Sequence, residues 1–410
     1  MRLAYLSTDP GVPWGGAKGA SVHLGEMARA LAAQGGELLL LVAGVEKDGP
    51  PPPSGVRLEL LPRPGKGPTE AKRIAAEPMR TAWIARRLER FGAEALYERI
   101  ALHSAAGSAA ASALGIPHLV ELNAPLPEEA ARYRRLERGD AAVQLEGTVL
   151  QNADLVLAVS SPLADYARAR GARRVKVCPN AVSLERFGTR AAHDVKEPLA
   201  VFAGGLRPWH GVDTLAEAWR LLGSGAPGLL VVGDGPGREP LDAVGAGVTG
   251  WVEHDRVPAL LAGAHIGLAP YAADAPPYFS PLKLFAYLAA GLAVVAARLP
   301  GVTEVVDERS AVLVPPGDAG ALADAVSELA ADPARRAELG SAGHDLVRSR
   351  HTWRRRARDV MQAASGLAEF QVALARPVAG GPRVTAGGAS RKRLRTFDPY
   401  LAKAPRAGET

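Results

Sequence analysis

Residues 278–297 read Tyr-Phe-Ser-Pro-Leu-Lys-Leu-Phe-Ala-Tyr-Leu-Ala-Ala-Gly-Leu-Ala-Val-Val-Ala-Ala. The stretch spells a loop, a helix and a buried strand in succession. Ser280 is placed to cap the helix, and Pro281 suits its first position, where a missing N–H is no loss. Leu282, Leu284, Phe285, Leu288 and Ala289 recur at helical spacing, and Gly291 ends the helix. Residues 292–297 form an uninterrupted apolar, partly β-branched run, the pattern of a central parallel strand. Free N–H groups and partial positive charge at such a helix start suit a phosphate, and Lys283 adds a full charge there. An ordinary helix–strand unit of an α/β domain fits the same residues, so the surrounding chain must decide.

Working back from this stretch, strand and helix signals alternate throughout. Residues 3–7 form a short apolar strand, followed by the glycine-rich loop 8–19 and a helix starting near Ala20 and Ser21. Backbone N–H groups meet anionic ligands in this geometry, although such a loop also serves simply to bring a helix close to a sheet. The glycine spacing is not the dinucleotide fingerprint, so no nicotinamide cofactor is indicated. Strands are expected at 38–43, 56–61, 96–99, 118–123, 155–160 and 174–179, and long helices at 69–91 and 129–152. The basic residues of 69–91 suit a solvated face or a membrane surface. His103 and Asn123 follow strands, where α/β domains place ligands, whereas His23 and His118 read as structural. A polar linker at 189–198 suggests a domain boundary near residue 190. Beyond it the pattern restarts, with strands at 199–203, 229–232, 248–252 and 266–271, and one more at 311–314 after the quoted stretch.

At 410 residues the chain exceeds one typical core and suggests two domains. The net charge of +6 resides in residues 371–410, which hold eight basic and two acidic side chains, so the first 370 residues are neutral. Nucleic-acid binding by the folded body therefore has no support. Cys178 is the lone cysteine, no apolar run approaches the length of a membrane span, and the first residues enter a strand directly. A cytoplasmic protein is expected, with peripheral membrane contact open through the basic helix or the tail cluster Arg391-Lys-Arg-Leu-Arg395.

Six motifs stand in order along residues 1–355: Gly15-Gly-Ala-Lys-Gly-Ala-Ser-Val-His23, Val177-Cys-Pro-Asn-Ala-Val182, Arg207-Pro-Trp-His-Gly211, Gly233-Asp-Gly-Pro-Gly237, Ser280-Pro-Leu-Lys283 and Val314-Pro-Pro-Gly-Asp318. Together they resemble family 4 glycosyltransferases of the GT-B fold, in which two Rossmann-like domains with parallel sheets face each other across a cleft. The resemblance implies an acceptor-side domain over 1–190 and a nucleotide-sugar domain over 191–352. It also implies a helix at 353–370 crossing back, followed by a disordered basic tail at 371–410. Transfer with retention from a UDP- or GDP-sugar, without a metal or other cofactor, to a glycan, lipid or metabolite is expected. The chain itself has no Asp-x-Asp pair or ligand-spaced His/Cys cluster, so protein cations must neutralise the diphosphate.

The resemblance assigns catalysis to Arg207, Lys283, His103 and Asn123. It assigns donor contacts to Gly16, Gly19, Gly205, His210, Gly233, Gly235, Val252, Tyr278, Phe279, Ser280, Pro281, Leu282 and Ala286. The chain also departs from the family pattern. The two family acids fall at Tyr278 and Ala286, and an Arg and a Lys of the family are replaced by Gly205 and His210. Asn123 stands where many members have His. Without a carboxylate at 286 to accept ribose hydroxyls, about 1.5–3 kcal/mol per hydrogen bond is forgone, which opens the alternative of a degenerate protein that binds a partner or sugar without catalysis. A GT-B epimerase or phosphorylase is a third reading.

Overall fold

Apolar runs alternating with helices build two parallel sheets in the computed structural model, which describes residues 1–63, 69–188 and 193–375, with side chains to residue 370. The first sheet holds β1 (Arg2–Ser7), β2 (Glu37–Val42), β3 (Val56–Leu60), β4 (Ala95–Arg99), β5 (His118–Leu122), β6 (Leu155–Ala158) and β7 (Val175–Val177), ordered β3-β2-β1-β4-β5-β6-β7. The second holds β8 (Leu199–Ala203), β9 (Gly228–Val232), β10 (Gly247–Val248), β11 (Ile266–Ala269), β12 (Ala293–Ala297) and β13 (Val312–Val314), ordered β10-β9-β8-β11-β12-β13. Strand order reverses between β1 and β4 and again between β8 and β11. The crevices at such switch points are where open α/β sheets receive ligands.

Both sheets belong to one compact unit, residues 1–371. Helix Trp353–Ala375 buries Trp353, Ala357, Val360 and Ala364 in the core built from Leu3, Tyr5, Leu24 and Tyr97 of the first half. The chain runs past itself where it passes between the halves: Val182 N–H donates to the His351 carbonyl at 3.0 Å, and Trp353 N–H donates to the Val182 carbonyl at 3.2 Å. Among the described residues, no helix is long and apolar enough to cross a membrane.

Several elements depart from expectation for identifiable reasons. The expected helix over 69–91 is two, Glu70–Ala75 and Glu77–Phe91, separated at Ala76, because Pro78 has no N–H to continue the ladder. The helix expected over 129–152 is likewise split into Leu126–Tyr133 and Gly139–Asn152. Arg134 between them is extended, and Glu70 accepts the N–H groups of Glu137 and Arg138. The strand expected at 248–252 shrinks to the two residues of β10. β11 stops at Ala269, and Tyr271 turns into the left-handed region at φ 41°. The last helix runs to Ala375 rather than Phe370. The expected boundary at residue 190 and the tail from 376 onward, with its Arg391–Arg395 cluster, lie outside the described residues.

Candidate functional site

Two helix starts converge between the sheets. Helix Gly19–Ala32 follows β1, helix Leu282–Ala290 precedes β12, and the Leu282 side chain lies 3.6 Å from where a Cβ on Gly19 would stand. Neither helix has a side-chain cap. Their free N–H groups and partial positive charges therefore favour an anion. The expected cap does not form: helix Leu282–Ala290 begins one residue past Pro281, which occupies the flanking position at ψ 119°. Ser280 Oγ instead accepts the backbone N–H of Asn180 at 3.0 Å.

Lys283 reaches from the first turn of this helix to the loop after β8. Its ammonium lies 3.8 Å from the Phe202 ring centroid and 5.7 Å from that of Tyr271. It is buried and makes no hydrogen bond. Burial lowers its pKa to about 7, because an ammonium taken from water without a partner favours its neutral form. The position a Cβ on Gly204 would take lies 3.3 Å from Lys283 Nζ, so the glycine gives backbone access to the cation. Gly233 and Gly235 have a packing role here. A Cβ on Gly233 would stand 2.1 Å from the Gly204 carbonyl oxygen, and one on Gly235 2.8 Å from that of Leu206. The two glycine loops thus approach backbone to backbone. Tyr271, whose backbone lies against Gly211, has a φ of 41°, strain of a kind that accumulates at functional sites.

His210 completes this wall. Its Nδ1 is 2.6 Å from the Gly205 carbonyl oxygen, so Nδ1 donates. Burial, then the charges of Lys283 and Arg207, push its pKa down to about 3. His210 is therefore neutral and adds no positive charge to this wall. Arg207 is exposed beside Gly205. Trp251, 63% exposed, lies 3.6 Å from where a Cβ on Gly205 would stand, and the adjoining Val252 packs against the second-half core.

Other candidates lie around this wall or away from it. Gly16 lies against Ser21, whose Oγ would be 2.6 Å from a Cβ there. The Tyr278 carbonyl accepts from Ser160 Oγ at 2.9 Å, and the Phe279 ring lies 5.9 Å from that of Tyr271. Ala286 borders a small cavity of about 40 Å³ with Glu26, Ser183, Arg186 and His254. His103, buried and left-handed at φ 63°, is set against Glu70 with 3.5 Å between Nε2 and Oε2, and burial lowers its pKa. Asn123 donates its Nδ2 to Glu121, which turns its Oδ1 away from that carboxylate.

The residues that join the two walls carry little signal in the sequence. Glu121 receives Arg99 at 2.6 Å, His23 at 2.9 Å and the Tyr97 hydroxyl. Burial alone would raise its pKa, but His23, then Arg99 and Tyr97, hold it well below the usual carboxylate range. Glu26 is buried against Arg186 at 2.7 Å and Arg29 at 3.2 Å. At the rim, Arg132 meets Asp274 at 2.8 Å, and the Tyr133 and Trp209 rings lie 4.7 Å apart. Asn180 stands within one of the six motifs, beside Pro179, but nothing local names its partner.

Two Rossmann-like halves, with glycine loops and two helix starts between them, define a GT-B protein. Residues 18–181 match the family described as "Glycosyl transferase 4-like domain", and residues 197–332 match "Glycosyl transferases group 1". The chain therefore consists largely of two glycosyltransferase domains. The putative teichuronic acid biosynthesis glycosyltransferase TuaC of Bacillus subtilis (strain 168) is 28% identical over 186 residues, 43% of this chain and 46% of that one. The match thus spans about half the length of that curated relative. Sucrose-phosphate synthase from Thermosynechococcus elongatus has a TM-score of 0.71 at 20% identity, over 90% of this chain and 99% of the other. Anabaena HepE in complex with UDP has a TM-score of 0.68 at 16% identity, over 90% of this chain and all (100%) of the other.

Proposed function

We propose that the protein is a family 4 glycosyltransferase that moves a sugar from a UDP- or GDP-sugar to a glycan, lipid or metabolite acceptor, with retention and without a metal ion. The observation that carries this reading is the buried, unpartnered ammonium of Lys283 at a helix start, where an anion is the missing partner. The second half would hold the donor, with its diphosphate on Lys283, the open amides and Arg207. Fixed positive charge there stabilises the leaving nucleoside diphosphate as the glycosidic bond breaks. The first half would take the acceptor, with Asn123 Oδ1 free to accept from a sugar hydroxyl. HepE, a protein of similar fold, is described in complex with UDP, in keeping with a nucleotide-sugar donor. We place the protein in the cytoplasm, with the basic face of Glu77–Phe91 available to anionic lipid.

The test is calorimetry and product analysis with a panel of UDP- and GDP-sugars, reading anomeric configuration and the effect of a chelator. Binding and turnover with one donor is the expected result, and no binding to any donor overturns the reading. Ala286 motivates a second one, a GT-B protein that binds without catalysis. In that case transfer would emerge only on restoring the acid in Ala286→Glu.

A further inference from the structure

We propose that Asn180 and His23 are positioning residues that tie the start of helix Leu282–Ala290, and with it Lys283, to the acceptor-side sheet through the carboxylate of Glu121. This rests on the reading that this helix start grips a diphosphate. Asn180 is buried and holds Ser280 twice: its backbone N–H donates to Ser280 Oγ at 3.0 Å, and its Nδ2 donates to the Ser280 carbonyl at 2.6 Å. With Nδ2 committed, Oδ1 is the atom that faces His23 Nδ1 at 2.7 Å, so Nδ1 donates. On the other side of the ring, Nε2 lies 2.9 Å from Glu121 Oε2, also an acceptor. Trp353 closes the ring's edge at 4.7 Å between centroids.

The same Glu121 carboxylate receives the Asn123 amide. A chain of polar contacts therefore runs from the half-buried Asn123 on the acceptor wall to Ser280 on the donor wall, beside the crossing point at Val182, its His23–Glu121 link being a 2.9 Å contact without a hydrogen bond. The helix lacks a cap of its own, so its lead-in is fixed from the other half of the molecule. A buried polar network is satisfied only in one arrangement. This one ties the two walls together through His23, Glu121 and Asn180, all buried.

The test compares the full-length wild type with Asn180→Ala, His23→Gln and Ser280→Ala by hydrogen exchange and by calorimetry with UDP and GDP. In folded Asn180→Ala, exchange of the hydrogen-bonded amides at 284–287 is expected to rise about tenfold, with exchange in β8 and β9 unchanged. Nucleotide affinity should fall by about the same factor. Ser280→Ala, which loses only the hydroxyl, should move both readouts in the same direction by about threefold. It carries the test with His23→Gln should Asn180→Ala not fold. Wild-type exchange at 284–287 in the folded variants overturns the proposal. The exchange measurement needs no ligand, so failure of the wild type to bind nucleotide would tell against the donor reading alone.

Discussion

The Lys283 ammonium faces the Phe202 ring at 3.8 Å and has no hydrogen-bond partner. A cation over an aromatic face recovers only about 0.5–2 kcal/mol, far short of what burial removes. The free protein thus holds a destabilised charge where an anion would relieve it. Lys283→Met, close in volume, should leave the melting temperature unchanged or raised while weakening nucleotide-sugar binding by about a hundredfold. Calorimetry alongside thermal unfolding separates the two effects.

The same lysine fixes a pH dependence. Its pKa in the folded chain is about 7, below its ordinary value of 10.5. Between those values the unfolded chain binds the extra proton, so stability rises with pH across this window and is insensitive to this group below it. Donor affinity runs the other way. A bound diphosphate needs the ammonium, so above pH 7 each unit should cost about tenfold in affinity, with proton uptake on binding. Titrations in buffers of different ionisation enthalpy, repeated on Lys283→Met, would reveal this slope or its absence.

How much of this is legible in the sequence follows from how local each signal is. Lys283, the glycine loops and the apolar strands β8, β11 and β12 are written in neighbouring residues, and the alternation that sets both sheets is visible without contacts. Ser280 has the look of a cap because it precedes a proline and a leucine run. Its actual partner, Asn180, is a hundred residues away. His23 reads as structural from its helix face, and only the tertiary fold brings Glu121 and Asn180 to either side of its ring. Pro78 and Arg134 break helices whose periodicity continues across them, since apolar spacing does not register a missing N–H or an extended residue.

Ala286 offers a gain-of-function test. Its methyl group borders the cavity of about 40 Å³ that also touches Arg186 and His254. A glutamate there would project a carboxylate toward Arg186, which Glu26 already pairs at 2.7 Å, leaving it in a position to accept ribose hydroxyls. Under the proposed function, Ala286→Glu should tighten nucleotide-sugar binding by about tenfold or more. Unchanged affinity would mean that the ribose does not lie on this face of the helix.

Two glycines with positive φ separate backbone strain from collision. Gly115 (φ 65°) has nothing within 4 Å of the position a Cβ would take, whereas at Gly233 (φ 147°) that atom would stand 2.1 Å from the Gly204 carbonyl oxygen. Gly115→Ala should therefore cost only the left-handed penalty, about 1–2 kcal/mol. Gly233→Ala must also push the two glycine loops apart, and should cost more than about 3 kcal/mol and impair nucleotide binding. Chemical denaturation of the two variants side by side checks the difference.

Glu146 gives the acid side of the stability profile. It is buried, accepts from the Tyr166 hydroxyl and from Leu126 N–H at 3.2 Å, and desolvation lifts its pKa to about 7. Between its ordinary value and 7 the folded chain holds the proton that the unfolded chain has released, so stability falls as pH rises through this window, by up to about 3 kcal/mol. Glu146→Gln stays neutral throughout. Urea unfolding at pH 5 and pH 7.5 should show the wild type losing stability relative to Glu146→Gln. Equal slopes in the two proteins would assign the acid-side dependence to other groups.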